Sequence, residues 1–235
     1  MKNLVLASTS TLHGQEYLEY LLPLIKSHFR DCSKILFIPY ARPGGISHED
    51  YTATAGKAFE KAGLQIHGIH EFDSPHEAVK QADGFFTGGG NTFLLVQQLY
   101  RNDLLPALKE AINKGVAYLG TSAGTNIAGL SMKTTNDMPI VYPPSFNTLG
   151  IVPFNINPHY LDPDPASIHK GESRETRIRE FHSHNPQPVV GLREGSWLEV
   201  KGKNIKLKGD LTARIFEAGK EAFEVEPETL LNDLN

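Results

Sequence analysis

The sequence predicts an α/β protein: a three-layer sandwich with a mostly parallel central sheet, helices on both faces and a C-terminal antiparallel hairpin. Three observations carry that prediction. Short continuous apolar runs alternate with stretches of helical period, which implies parallel strands buried on both sides. The runs end in polar or glycine-rich clusters, and in such sheets ligands bind beyond the C-terminal strand ends. One run leads into Gly120-Thr121-Ser122-Ala123-Gly124, the G-x-S-x-G pattern of a serine held on a sharp strand-to-helix turn.

The first strand is expected at Asn3–Ala7, ending in the polar cluster Ser8 to Thr11. A helical stripe follows at Leu18, Leu21, Leu22, Ile25 and Phe29, and Pro23 inside it is expected to kink or split that helix. Ile35–Ile38 reads as the second strand, and Ser47 opens a helix to about Ala62 with Gly63 as its left-handed stop. Leu64–Ile69 is a third strand. Ser74-Pro75-His76-Glu77 combines a capping serine, a proline at the first helical position and a glutamate at the third, the signature of a short helix. Gly84–Thr87 is a fourth strand, running into Gly88-Gly89-Gly90-Asn91, and helical periodicity then covers 92–100 and 103–114 before the elbow strand.

Beyond Met132 the pattern loosens. Residues 134–141 read as a loop leading into a strand, and Phe154–His159 as a short strand ending on a histidine. A charged helix is expected over 171–181, with Arg174, Arg177 and Arg179, and a buried strand over Pro188–Leu192. Trp197–Val200 and Ile205–Leu207 flank Gly202-Lys203 as a hairpin, and Ala213–Phe216 forms a further strand.

Composition narrows the function. The chain has 235 residues, 40% of them hydrophobic, and no linker or low-complexity run divides it, so one domain, 1–235, is expected. A net charge of −4 argues against nucleic acid or an anionic membrane as partner and favours a small substrate. Cys32 is the only cysteine, which removes disulfide frameworks and thiolate clusters. Met1 leads straight into a short apolar run, without the pattern of a secretory signal, and the expected location is the cytoplasm. No cofactor and no metal are implied.

A serine nucleophile needs a base within hydrogen-bond reach and a group that orients the base. Of the 10 histidines, His159 ends a short strand after a proline, whereas His67 and His70 fall on opposite faces of a strand end and make an improbable metal pair. Two carboxylates compete for the third place: Glu194, which also ends a buried strand, and Asp137, in the loop after the elbow helix. The order Ser, His, Glu departs from that of the α/β-hydrolases. Gly89 and Gly90, with Ala123 after the serine, offer bare backbone N–H groups for an oxyanion hole. Neither phosphate-binding glycine motif is present. Arg174 suits a substrate carboxylate, since guanidinium is planar, permanently charged and bidentate. Asn91, closing the glycine run, is the second candidate for substrate contact.

Taken together, Gly88 to Phe93, Ser122-Ala123-Gly124, Thr134 to Val141, Ile156 to His159, Lys170-Gly171-Glu172 with Arg174, and Gly191-Leu192 with Glu194-Gly195 and Trp197 resemble the peptidase E family of α-aspartyl dipeptidases. The resemblance covers nearly the whole chain. It implies a sheet related to the class I glutamine amidotransferases, with Ser122 as nucleophile, His159 as base, Glu194 as orienting acid and Arg174 on the substrate aspartate; Asp137 is also a motif position. The implied substrate is a small dipeptide, with no nucleic-acid or membrane partner, and the chain is expected to be a monomer or homodimer. The alternatives are a cyanophycinase-like hydrolase of aspartyl polymers and a non-catalytic sensor of small ligands on the same fold.

Overall fold

The computed structural model describes residues 1–163 and 171–234; Lys170 lies outside them. Eleven strands and seven α-helices are described. β1 (Asn3–Ala7), β2 (Ile35–Ile38), β3 (Ile66–Gly68), β4 (Gly84–Thr87), β5 (Ala117–Thr121), β8 (Trp197–Lys201) and β9 (Asn204–Lys208) form a sheet of order β3-β2-β4-β5-β1-β8-β9. The first five of these are mutually parallel, and the hairpin β8–β9 adds antiparallel at the β1 edge.

Alternate side chains of the central strands enter two different cores, as expected for a sheet buried on both faces. Val5, Ala7, Ile35, Phe37, Phe86 and Leu119 pack with α1 (Leu22–His28) and α2 (His48–Lys61). Leu4, Leu6, Leu36, Ile38, Phe85 and Tyr118 face the other side. There they meet α3 (Pro75–Gln81), α4 (Thr92–Arg101), α5 (Leu105–Lys114) and α6 (Ala123–Asn126).

The helix boundaries follow from capping. Ser47 Oγ accepts from Asp50 N at 3.0 Å and Ser74 Oγ from Glu77 N at 3.3 Å, each satisfying an N–H that has no partner inside its helix. Gly115, at φ 108°, ends α5 in the left-handed region that glycine enters without cost. Pro23 splits the first helical stretch: a 3-10 turn, Glu19–Leu21, precedes α1, and the proline falls in the first turn of α1, where its missing N–H is not needed.

One arrangement goes beyond what the sequence specifies, and one expectation needs correction. The strands β6 (Asn155–Pro158) and β7 (Val189–Leu192) do not extend the central sheet. They pair in parallel within a second, four-stranded sheet of order β11-β10-β7-β6, completed by β10 (Ala213–Phe216) and β11 (Phe223–Val225). Ile156, Val190, Leu192 and Ile215 join the core shared with α3–α6, while Val189 and Phe216 pack on Ile178 of α7 (Arg174–His182). No strand forms at 139–141. Pro139, Pro143 and Pro144 withhold ladder N–H groups, Ile140 N turns back to Met138 O, and Met138, Ile140 and Tyr142 are exposed.

Candidate active site

Three loops converge at the C-terminal edge of the parallel strands: Ser8 after β1, Gly88–Asn91 after β4 and Ser122 after β5. Ser122 stands between β5 and α6 at φ 54°, ψ −111°, a conformation that is costly for any side-chain-bearing residue. Its neighbours explain how the turn is accommodated. A Cβ on Gly120 would lie 2.5 Å from Gly124 O, and one on Gly124 would lie 2.2 Å from Thr87 O. Only glycine lets the elbow close against β4.

The second sheet supplies the partners. His159, immediately after β6, is itself left-handed at φ 53°. Its Nε2 lies 2.7 Å from Ser122 Oγ and its Nδ1 2.5 Å from Glu194 Oε1. A carboxylate can only accept, so Nδ1 carries the proton and Nε2 presents its lone pair to the serine hydroxyl. Glu194 follows β7, and its side chain is 46% exposed. Beside it, Arg193 makes a two-pronged contact with Asp162 and reaches Glu224 and Thr212 O, which ties the end of β7 to the segment after His159 and to β11.

Ser8 joins the two sheets beneath this chain, a role that was not read from the sequence. Fully buried, its Oγ donates to Leu192 O at 2.7 Å and accepts from His159 N at 2.8 Å. One hydroxyl thus fixes the end of the strand that leads to Glu194 and the backbone of His159. Asn126, Asn136 and Asn157 extend the tie: Asn126 Nδ2 donates to Ile156 O, Asn136 Nδ2 to Pro158 O, and Asn157 Nδ2 to Thr134 O. The signal available in the sequence was a polar residue at a strand end, at Ser8, and asparagines inside an apolar strand, at Asn155 and Asn157.

The glycine run lies against the nucleophile. A Cβ on Gly89 would sit 2.9 Å from Ser122 Cβ, and one on Gly90, at φ 140°, would sit 2.2 Å from Ala41 O. Tyr51 Oη donates to Gly89 O at 3.1 Å, so the N–H of the same peptide, that of Gly90, points away from that tyrosine. Among the described residues, Gly89 and Gly90 N–H bond no backbone carbonyl. Ala123 N–H belongs to the first turn of α6, where helices leave such groups unpaired.

Asp137 and Asn91 are placed otherwise than as partners of His159. Asp137 Oδ2 accepts from Thr92 N at 2.7 Å, Thr92 Oγ1 at 2.6 Å and Thr135 Oγ1 at 2.9 Å. It makes no bond with His159, whose Nδ1 belongs to Glu194. The Asn91 side chain, expected to meet substrate, is engaged within the protein: Oδ1 caps Leu94 N at 3.1 Å and Nδ2 donates to Met138 O at 2.9 Å.

Arg174 begins α7 and is half-buried. Burial, then the nearby charge of Arg177, lowers its pKa from the usual arginine value, while Asp137 acts in the opposite direction. Arg177 faces Glu172 at 3.8 Å and Arg179 bonds Glu175 and Glu221, whereas no carboxylate pairs with Arg174 among the described residues. Elsewhere, His67 is exposed beside Glu71 and His70 is turned inward. Among the described residues no group of three or more His, Cys, Asp or Glu is placed to hold a metal ion, and no helix is long and apolar enough to cross a membrane.

A serine, a histidine and a carboxylate in hydrogen-bonded series at the edge of a mostly parallel sheet is the arrangement that serine hydrolases use. The family model "Peptidase family S51" matches residues 4–208, and the chain belongs to that family of serine peptidases. A Streptomyces coelicolor protein named "Peptidase E" is 49% identical over 232 residues, covering 99% of this chain and 94% of its own. A Drosophila melanogaster protein named "Probable alpha-aspartyl dipeptidase" is 44% identical over 229 residues, covering 96% and 94%. The crystal structure of a peptidase from an acI-B1 Actinobacterium superposes with a TM-score of 0.72 over 98% of this chain and 96% of that one, at 17% identity, a likeness of fold.

Proposed function

We propose that the chain is a dipeptidase that releases N-terminal aspartate through Ser122, His159 and Glu194. The observation that carries this reading is the pair of short contacts on the two nitrogens of His159, 2.7 Å to Ser122 Oγ and 2.5 Å to Glu194 Oε1. His159 Nε2 takes the hydroxyl proton as Oγ bonds to the peptide carbonyl carbon, and Glu194 holds the imidazolium that forms. The negative charge on the former carbonyl oxygen is met by N–H groups of Ala123 and of Gly89 or Gly90. His159 then passes the proton to the departing amine as the C–N bond breaks. Water, deprotonated by the same nitrogen, hydrolyses the aspartyl ester and restores Ser122.

The substrate class is supported by the names of the relatives and by Arg174, a half-buried cation without a carboxylate among the described residues. A substrate β-carboxylate supplies what its guanidinium lacks. Kinetics over a series of X-Leu dipeptides test the reading: Asp-Leu is expected to have the highest kcat/KM. Ser122→Ala is expected to lower kcat on the order of 10⁴–10⁶-fold. A Ser122→Ala enzyme that hydrolyses Asp-Leu at the parental rate rules out the mechanism, and cleavage of Ala-Leu as fast as Asp-Leu rules out the specificity. Localisation in the cytoplasm belongs to the same reading.

A further inference from the structure

A dipeptidase must recognise a free α-amine, and nothing in the acyl-transfer chemistry above does so. We propose that Asp137 is the anchor for the α-ammonium group of the substrate's first residue; the inference rests on the proposed peptidase site but not on its preference for aspartate. The carboxylate of Asp137 is used unevenly. All three of its hydrogen bonds fall on Oδ2, from Thr92 N, Thr92 Oγ1 and Thr135 Oγ1. Among the described residues Oδ1 accepts none. Capping of α4 accounts for the first oxygen and leaves the second, on a group too firmly held to turn away, available to a cation.

The position suits the task. Asp137 lines the same small recess as Ser122, Ala123 and His159. In a substrate, the α-nitrogen and the carbonyl carbon attacked by Ser122 are separated only by Cα, about 2.5 Å apart. An amine anchor therefore has to share the nucleophile's recess. Asn126 also lines it, and its Oδ1 is buried without a hydrogen-bond partner among the described residues, because the amide gives Nδ2 to Ile156 O. An ammonium group carries three donors and no acceptor. Two unused acceptor oxygens, one of them charged, match it.

The charge pattern also matches aspartate as a whole. Arg174 lies close enough to Asp137 for the carboxylate to act on its pKa. An N-terminal aspartate bears one cation and one anion on neighbouring carbons, and the site presents one anion and one cation to meet them. Glu194 takes the place beside His159, so Asp137 is not needed to orient the base. Asp137 acts in binding, and an endopeptide, whose first residue in the site has an amide instead of an ammonium, leaves the Asp137 charge unpaired.

The experiment compares Asp-Leu with succinyl-Leu, the same molecule without its amine, on the parental enzyme and on Asp137→Asn. The parental enzyme is expected to prefer Asp-Leu by about 10–100-fold in kcat/KM, the range for a hydrogen bond to a charged group. In Asp137→Asn that ratio collapses toward one. A parental enzyme that does not discriminate, or a variant that slows both substrates equally and so keeps the ratio, overturns the proposal. If Asp137→Asn does not fold, Asp137→Glu, which keeps the charge and moves it by one methylene, is expected to shrink the ratio, and an unchanged ratio again overturns the assignment. If another X-Leu is cleaved in preference to Asp-Leu, the aspartate reading fails and the comparison is made with that dipeptide and its desamino analogue. Hydrolysis of no dipeptide overturns both.

Discussion

Replacing Ser8 by alanine removes one hydroxyl and two long-range hydrogen bonds, to Leu192 O at 2.7 Å and from His159 N at 2.8 Å. Ser8 is fully buried, so water cannot take the vacated place without a cavity that an alanine barely opens. Leu192 O keeps a second donor, Tyr160 N at 3.1 Å, so His159 N is the group left unpaired, which costs about 1–3 kcal/mol. At about 2–4 °C per kcal/mol for a chain of this size, Tm falls by roughly 2–12 °C. The catalytic effect is separate. His159 sits at φ 53° and is held there through its own N–H, so the imidazole shifts relative to Ser122 when that bond is lost. A displacement of about 1 Å lowers kcat on the order of 100-fold, with KM little changed because neither lost bond faces substrate. Calorimetry and Asp-Leu kinetics well below Tm measure the two effects. An alanine variant with parental Tm and kcat refutes the view that this hydroxyl joins the sheets, and a lowered Tm with parental kcat refutes its action on His159.

Four further outcomes are expected. Arg174→Ala loses the preference for Asp-Leu over Ala-Leu in kcat/KM while Ser122 still reacts with a fluorophosphonate; retained preference moves the carboxylate site elsewhere. Ser122→Gly is more thermostable than Ser122→Ala, the reverse of the order at ordinary positions, because both lack the hydroxyl and only glycine relaxes φ 54°, ψ −111°; the usual order in a melting experiment contradicts the strain. Gly124→Ala, whose Cβ would lie 2.2 Å from Thr87 O, loses about 3 kcal/mol or more of stability in urea unfolding. Burial, then the charge of Lys201, lowers the His28 pKa from 6.5 to about 4. A histidine held neutral contributes stability above its unfolded pKa that fades as pH falls from about 6.5 to 4, here about 3 kcal/mol. In urea unfolding at pH 7 and pH 4.5, His28→Gln is expected to show a smaller acid loss than the parent, and an identical loss counts against the assignment.

The local chemistry of the central sheet was legible because it is written in short windows. Apolar runs such as Ile35–Ile38, the capping serines Ser47 and Ser74 and the glycines around Ser122 each act on neighbours a few residues away. The second sheet was not, since a four-residue apolar run such as Val189–Leu192 states that it is buried and not which sheet it joins. The same limit hid Ser8. Its two partners lie 151 and 184 residues away, and a lone serine after a strand is indistinguishable from a solvated loop residue. Asn91 shows the local side of the same limit: an asparagine at a loop-to-helix junction is an N-cap by ordinary rules, and its side chain is engaged as one here.

The division of the site between two sheets explains why two residues in it take positive φ. Ser122 ends a strand of the central sheet and His159 a strand of the second, both at positive φ. Had either continued in extended geometry, its side chain would have followed the pleat of its own sheet. Turning both at the junction brings Oγ and Nε2 to 2.7 Å across the gap between sheets. Such conformations persist only where surrounding bonds over-determine them. For Ser122 those are the closures of Gly120 on Gly124 and of Gly124 on Thr87; for His159 they are the Ser8 hydroxyl and the Asn136 amide on Pro158 O. The geometry of the pair therefore depends on contacts at the sheet junction, and substitutions there are expected to reach catalysis without touching a reacting atom.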